Sequence, residues 1–175
     1  MPPGPMNALI ASLAVRSPTA GLVTGLGAMA ADLILGVLVF SLRSAIDLDA
    51  VLRPIYALGA VVMVVIAYRV WSHRLEPAGT PVDRVHTFSY ALGVGLSNPF
   101  QIVWWLTAGL AFAYLGGIVL FVGIFAGIAA WIVAFPLAIY RGSRRYPTMG
   151  RWVAVLSTAL LAGFAAYFAY LALAL

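Results

Sequence analysis

The sequence predicts an all-α integral membrane protein of about six transmembrane helices, arranged as two inverted three-helix repeats with a short or truncated first helix. Three observations carry this prediction. Of 175 residues, 64% are hydrophobic and only 9% are charged, whereas a soluble domain carries roughly a quarter charged residues. The apolar residues gather into long charge-free runs, which need lipid as their solvent. Proline and amide side chains also recur at matching places in the two halves of the chain.

The charged residues agree with a membrane setting. The net charge of +5 comes entirely from arginine, because the chain has no lysine. Those arginines lie scattered between apolar runs, which reads as topology-setting charge and not as a nucleic-acid surface. The chain has no cysteine, so disulfides, thiol relays and cysteine-ligated metals are excluded. The first apolar stretch has no basic residue before it and is broken by Pro-Gly-Pro, unlike a secretory signal.

A spanning helix needs about 20 apolar residues. In order, the runs predict a short segment over Pro2–Val15 and full spans over Thr19–Leu42, Pro54–Trp71, Thr87–Tyr114, Leu115–Ile139 and Trp152–Leu175. Arg16-Ser17-Pro18 makes the first turn, and Tyr114 to Gly117 the turn before the fifth segment, Leu115–Ile139. Residues 1–71 form the first repeat, 72–86 a cytoplasmic linker holding Pro77, Gly79 and Pro81, and 87–175 the second repeat. With six crossings, Arg16, Arg69, Arg74, Arg84, Arg141, Arg144, Arg145 and Arg151 fall on one side, against Arg43 and Arg53 on the other. The positive-inside rule then places loops 72–86 and 140–151 in the cytoplasm and both termini outside.

The repeat shows in its prolines. "PGPMNALIASL" opens the first half and "LSNPFQIVWWL" stands at the front of the second. A shift of 94 lays Pro5 on Pro99 and Asn7 on Gln101; a shift of 96 lays Gly21 on Gly117 and Gly27 on Gly123. Three spans per unit is an odd number, so the second unit is inverted. Proline removes a backbone donor and clashes with the preceding turn, and in lipid the freed groups need partners or a wet cavity. Paired breaks would therefore present half-helix ends near the midplane, suited to a carboxylate or an ammonium group. Pro136 stands alone and reads as a kink.

Asp32 is the one acid well inside a predicted span, where a charge costs about 2.5–3.5 kcal/mol on insertion scales. Gly21, Gly25, Ala28 and Gly36 share its face, a stripe of small residues suited to helix packing. It reads as a site for a proton, a cation or a substrate ammonium, with a structural hydrogen bond as the alternative. Asn98 and Gln101 flank the second break, either to orient a substrate or to cap freed carbonyls. Gly123 and Gly127 read as a helix-packing motif, and Trp104, Trp105 and Trp131 as lipid or helix contacts, with a pocket wall as the alternative for Trp104 or Trp105. The pairs His73/Glu76 and Asp83/His86 read as solvated loop residues, so no metal ligand set and no cofactor are expected.

The run "PGPMN" followed by "GLVTGLGAMAADLILGVLVF", together with "GLSNPFQIVWWLTAGL", resembles the lysine exporter (LysE/RhtB) family of amino-acid translocators. The resemblance runs from Pro3 to about Leu175 and implies a non-enzymatic exporter of amino acids or similar solutes in the cytoplasmic (inner) membrane, driven by an ion gradient. It carries over to Pro3, Gly4, Pro5, Asn7, Gly25, Gly27, Asp32, Asn98 and Pro99. Phe100 stands where many members carry lysine. Members also usually have an apolar half-helix before Pro-Gly-Pro, hence the expected short first helix.

These features together predict a secondary transporter whose substrate, an amino acid, binds between Pro3, Gly4, Pro5 and Asn7 on one side and Asn98, Pro99 and Gln101 on the other. Asp32 is the coupling acid, and the proton is the first choice of coupling ion. Further expected partners are the lipid bilayer and a second copy of the chain; nucleic acid is not one. The alternative on the same architecture is an exporter of a metal cation or other ion, for which one acid is a poor ligand set.

Overall fold

The computed structural model describes residues 4–42, 48–73 and 83–174. Along them run α1 (Pro5–Ala14), α2 (Pro18–Leu42), α3 (Leu48–His73), α4 (Arg84–Leu96), α5 (Pro99–Trp104), a π-helical turn (Trp105–Gly109), α6 (Leu110–Arg145) and α7 (Pro147–Ala174). No strand occurs among the described residues, as an all-α chain requires.

Proline decides where four of these helices begin: α1, α2, α5 and α7 each have it as first residue. There its missing N–H is no loss and its fixed φ is already helical. The residue ahead often caps the exposed amides. Asn98 Oδ1 accepts from the Phe100 N–H at 3.1 Å, and Ser17 Oγ accepts more loosely from Ala20 at 3.5 Å. The start of α4 uses a different device, Asp83 Oδ1 accepting from the His86 N–H at 3.0 Å. Asp83 and His86 are thus exposed first-turn residues, with the carboxylate engaged in capping.

Among the described residues four stretches are long and apolar enough to cross a membrane: Pro18–Val39, Pro54–Ser72, Ile118–Arg145 and Thr148–Ala174. The predicted spans Thr19–Leu42, Pro54–Trp71, Leu115–Ile139 and Trp152–Leu175 are therefore found, in α2, α3, α6 and α7, with α3 and α7 starting earlier than expected, at Leu48 and Pro147. The chain is a multi-pass helical membrane protein. The short first segment is also found: the ten residues of α1 reach about 15 Å, half of a hydrocarbon core.

The expected turn at Tyr114–Gly117 does not form; α6 runs unbroken through it for 36 residues. Nothing in Tyr114-Leu115-Gly116-Gly117 stops a helix. A mid-helix glycine costs about 1 kcal/mol relative to alanine, far less than proline, and no polar side chain there competes for the backbone. The fourth predicted span is instead divided earlier, between α4 and α5 at Ser97 and Asn98.

Helix α3 packs along α7, and α2 along α4. One buried cluster joins Leu9 of α1, Met63 and Ile66 of α3, Val94 of α4 and Leu161 and Phe168 of α7. A second gathers Leu35 and Val39 of α2 around Trp105 and Leu106, with Phe121 and Phe125 of α6 against it. Outward faces are apolar too: Val61, Val64, Val119 and Leu156 are exposed, as lipid-facing residues should be. Arginine gathers where α6 meets α7, Arg144 lying over the Tyr140 ring and Arg145 over Tyr146, the aromatic and basic composition of a membrane–water interface.

Gly123 and Gly127 were expected to pack helices, yet a Cβ at either would meet nothing within 4 Å; Gly127 borders a cavity between the helices and not a neighbouring backbone. The opposite holds at Gly59 of α3, where a Cβ would overlap the Pro99 ring. The second helix break is clamped there by a backbone that tolerates no side chain. Gly59→Ala should therefore destabilise the fold by about 1–3 kcal/mol, the usual cost of overpacking. Thermal unfolding in detergent measures this; an unchanged midpoint would mean that Pro99 has room to move.

Candidate functional site

The two proline breaks open onto a single cavity of about 430 Å³. The start of α1 gives it Gly4, Pro5, Met6 and Asn7; the second break gives it Asn98, Phe100 and Gln101. Helix α2 supplies Gly25, Ala28, Met29 and Asp32, which lie three, one and three positions apart and so share one helical face. Helix α6 closes the far wall with Ile124, Gly127, Ile128, Trp131 and Ile132. The small residues of α2 make this possible. A Cβ at Gly25 would stand 2.7 Å from Ile132, and one at Gly21 the same distance from Pro136. Glycine lets α2 and α6 approach at the cavity's rim.

Asp32 is 9% exposed and, among the described residues, is the sole charged side chain on the cavity wall. Its Oδ1 accepts a hydrogen bond of 2.8 Å from the Trp105 indole Nε1, and Gln101 stands on the same cavity wall. Charge-assisted bonds of this kind are stronger than neutral ones and hold a carboxylate in one orientation. Trp105 is itself fixed. A Cβ at Gly36 would come within 2.9 Å of its ring and one at Gly109 within 2.5 Å, so two glycines form the slot it occupies. Phe125 stacks on it with ring centres 6.2 Å apart, and Phe121 lies 6.0 Å away.

A π-helical turn begins at Trp105 and offsets the side chains beyond it by about 100°. As successive helical residues, Trp104 and Trp105 already point about 100° apart, their rings meeting edge-on. Trp104 lines the cavity, while Trp105 is 3% exposed and lies beneath the acid. On the other side, Trp131 Nε1 donates to Asn7 Oδ1 at 3.1 Å. Each of these two sites thus has an indole from the second half of the chain bonded to a polar residue of the first.

Gln101 fastens the second break to α2, its Nε2 donating to the Ala28 carbonyl at 3.3 Å. Asn98 is 1% exposed and both caps α5 and faces the cavity. Of the residues singled out from the sequence, Gly4, Pro5, Asn7, Asp32, Asn98 and Gln101 thus share one wall. Pro99 is buried behind it against Gly59, and Pro3 lies outside the described residues. Sequence reasoning missed Met29, Trp105 and Trp131 as parts of the site. The i+3 spacing from Asp32 could have found Met29; nothing in a linear pattern shows the indole contacts. Among the described residues no three histidine or acidic side chains gather as they would around a metal ion.

Interrupted helices meeting at a cavity with one buried acid, inside a bundle of membrane-crossing helices, define a solute translocator. The chain belongs to the LysE type translocator family, whose model matches residues 1–172. No curated protein and no solved structure matches the chain.

Proposed function

We propose that the protein is a secondary exporter of amino acids or similar small solutes, working by ion-coupled alternating access across the cytoplasmic membrane. The observation that carries this reading is the meeting of both proline breaks and the buried Asp32 carboxylate on one cavity. Midplane sites between interrupted helices are the recurring plan of secondary transporters. A single carboxylate can hold a proton or pair with an ammonium group, and each excludes the other. That exclusivity is sufficient for exchange: substrate leaves as a proton enters. The alternative cargo, a divalent metal ion, prefers several carboxylate or imidazole ligands, and the wall offers one carboxylate beside neutral amides.

The alternating halves are residues 1–71 and 87–175, joined by the linker 72–86 on the cytoplasmic side and related by inversion. The matching construction of the breaks supports this, since Pro5 follows the cap Gly4 as Pro99 follows the cap Asn98. The arginine distribution supports termini outside and loops 72–86 and 140–151 inside.

Counterflow of a labelled amino-acid panel in proteoliposomes, with an imposed pH gradient, tests the function. Flux that responds to the gradient is expected; absence of flux for every amino acid from folded protein overturns it. Topology is open to a clean test because the chain has no cysteine. Single cysteines at Glu76 and Ser143 should react with an impermeant thiol reagent only in inside-out vesicles. Labelling from the outside would reverse the orientation.

A further inference from the structure

The cavity has an unanswered acceptor. Gln101 is 8% exposed, and its amide orientation is dictated by chemistry: the Ala28 carbonyl can only accept, so Nε2 must face it. The amide oxygen Oε1 is left buried with no hydrogen-bond partner. Buried polar groups are nearly always paired, so this oxygen marks a place where a donor belongs. Gln101 is fastened to the Ala28 carbonyl, one turn before Asp32 on α2, and lines the cavity together with that acid, so a negative charge and a neutral acceptor share one wall. A group that donates several hydrogen bonds, accepts none and carries a positive charge satisfies both, and a primary ammonium is such a group.

The rest of the wall sets the other end of the ligand. Ile10, Met29, Trp104, Ile124 and Ile128 line it, and no second carboxylate does. A substrate with a cation at each end would bury one of them against isoleucine and tryptophan without a partner, which is strongly unfavourable. Indole and branched aliphatic walls instead favour apolar and aromatic tails.

We infer that the cavity is a binding site for a molecule with one primary ammonium head, seated on Asp32 and Gln101, and an apolar or aromatic tail. Amines with apolar or aromatic tails have this chemistry, and amino acids with apolar side chains keep the same head and tail while adding a carboxylate next to the ammonium, at the head and not at the apolar end. Diamino compounds such as lysine do not. The inference rests on the exporter reading for its biological meaning, but the site itself is tested by equilibrium binding.

The experiment is calorimetric titration of the full chain in detergent or nanodiscs with L-phenylalanine, 2-phenylethylamine, 3-phenylpropionate and L-lysine. Phenylalanine or phenylethylamine should bind at least about tenfold more tightly than lysine, a difference of about 1.4 kcal/mol, and phenylpropionate should not bind. Phenylalanine the tighter of the two names an amino-acid site; phenylethylamine the tighter names an amine site. Gln101→Met, which keeps volume and removes the acceptor, should weaken the better ligand about tenfold. Lysine binding as tightly as phenylalanine, binding of phenylpropionate, or no binding by any of the four overturns the inference. The two readings fail separately. Gradient-driven lysine flux without phenylalanine binding removes this inference and leaves the exporter; phenylalanine binding without gradient-driven flux of any substrate does the reverse.

Discussion

Asp32→Asn should abolish gradient-driven transport in a protein that remains folded. Asparagine has the shape of aspartate and keeps an oxygen able to accept from the Trp105 indole, so the 2.8 Å contact beneath the cavity survives. The substitution also removes a charge from a buried position, which in lipid eases folding. What it takes away is the capacity to hold a proton and to attract a cation. A hydrogen bond to a charged group contributes about 1.5–3 kcal/mol, so binding of an ammonium substrate should fall about 10- to 100-fold. Coupling should fall further, because no other described side chain on the wall is an acid or a histidine that can carry the proton. Counterflow in proteoliposomes, with and without a pH gradient, measures both losses. Residual flux that ignores the gradient would assign Asp32 to coupling alone; flux that still follows the gradient would remove it from the mechanism.

The parts of this architecture that act locally were legible in the sequence. Pro5, Pro18 and Pro99 set helix starts through their own backbone chemistry, wherever the rest of the chain goes. The small face of α2 was legible for a similar reason: Gly21, Gly25 and Gly36 follow helical spacing, and each proves to be a point of close approach. Gly123 and Gly127 have the same pattern, but a Cβ there would meet nothing within 4 Å. A small-residue motif says that a face can pack, and only the assembled bundle decides whether it does. The turn at Tyr114–Gly117 failed because glycine weakens a helix without ending it.

Trp105 lay beyond linear reasoning for a geometric cause. A helical wheel shows which residues share a face and not which helix that face meets, so a partner 73 positions away in sequence is invisible to it. The slot between Gly36 and Gly109 joins positions on different helices. Neither glycine announces that an indole lies against it.

The second large effect is expected at this indole. Trp105→Phe keeps a ring for Phe121 and Phe125 to pack against and removes the N–H that Asp32 accepts. The packed fold should survive, since the substitution trims a ring within an aromatic cluster. Without the donor, the ionised acid loses one hydrogen bond while its protonated form loses less. If that difference is about 1.4 kcal/mol, within the usual value of a bond to a charged group, the pH midpoint of transport should rise by about one unit. Other charged groups do not confuse the reading, because among the described residues none but Asp32 lines the cavity. The discriminating control is the pair. In an Asp32→Asn background nothing titrates, so adding Trp105→Phe should leave substrate binding within about twofold, and the coupling energy of the two positions should account for most of the single-mutant effect. A midpoint unmoved by Trp105→Phe, or a second loss fully additive to the first, would show that the indole serves the packing of α2 against α6 and not the chemistry of the acid.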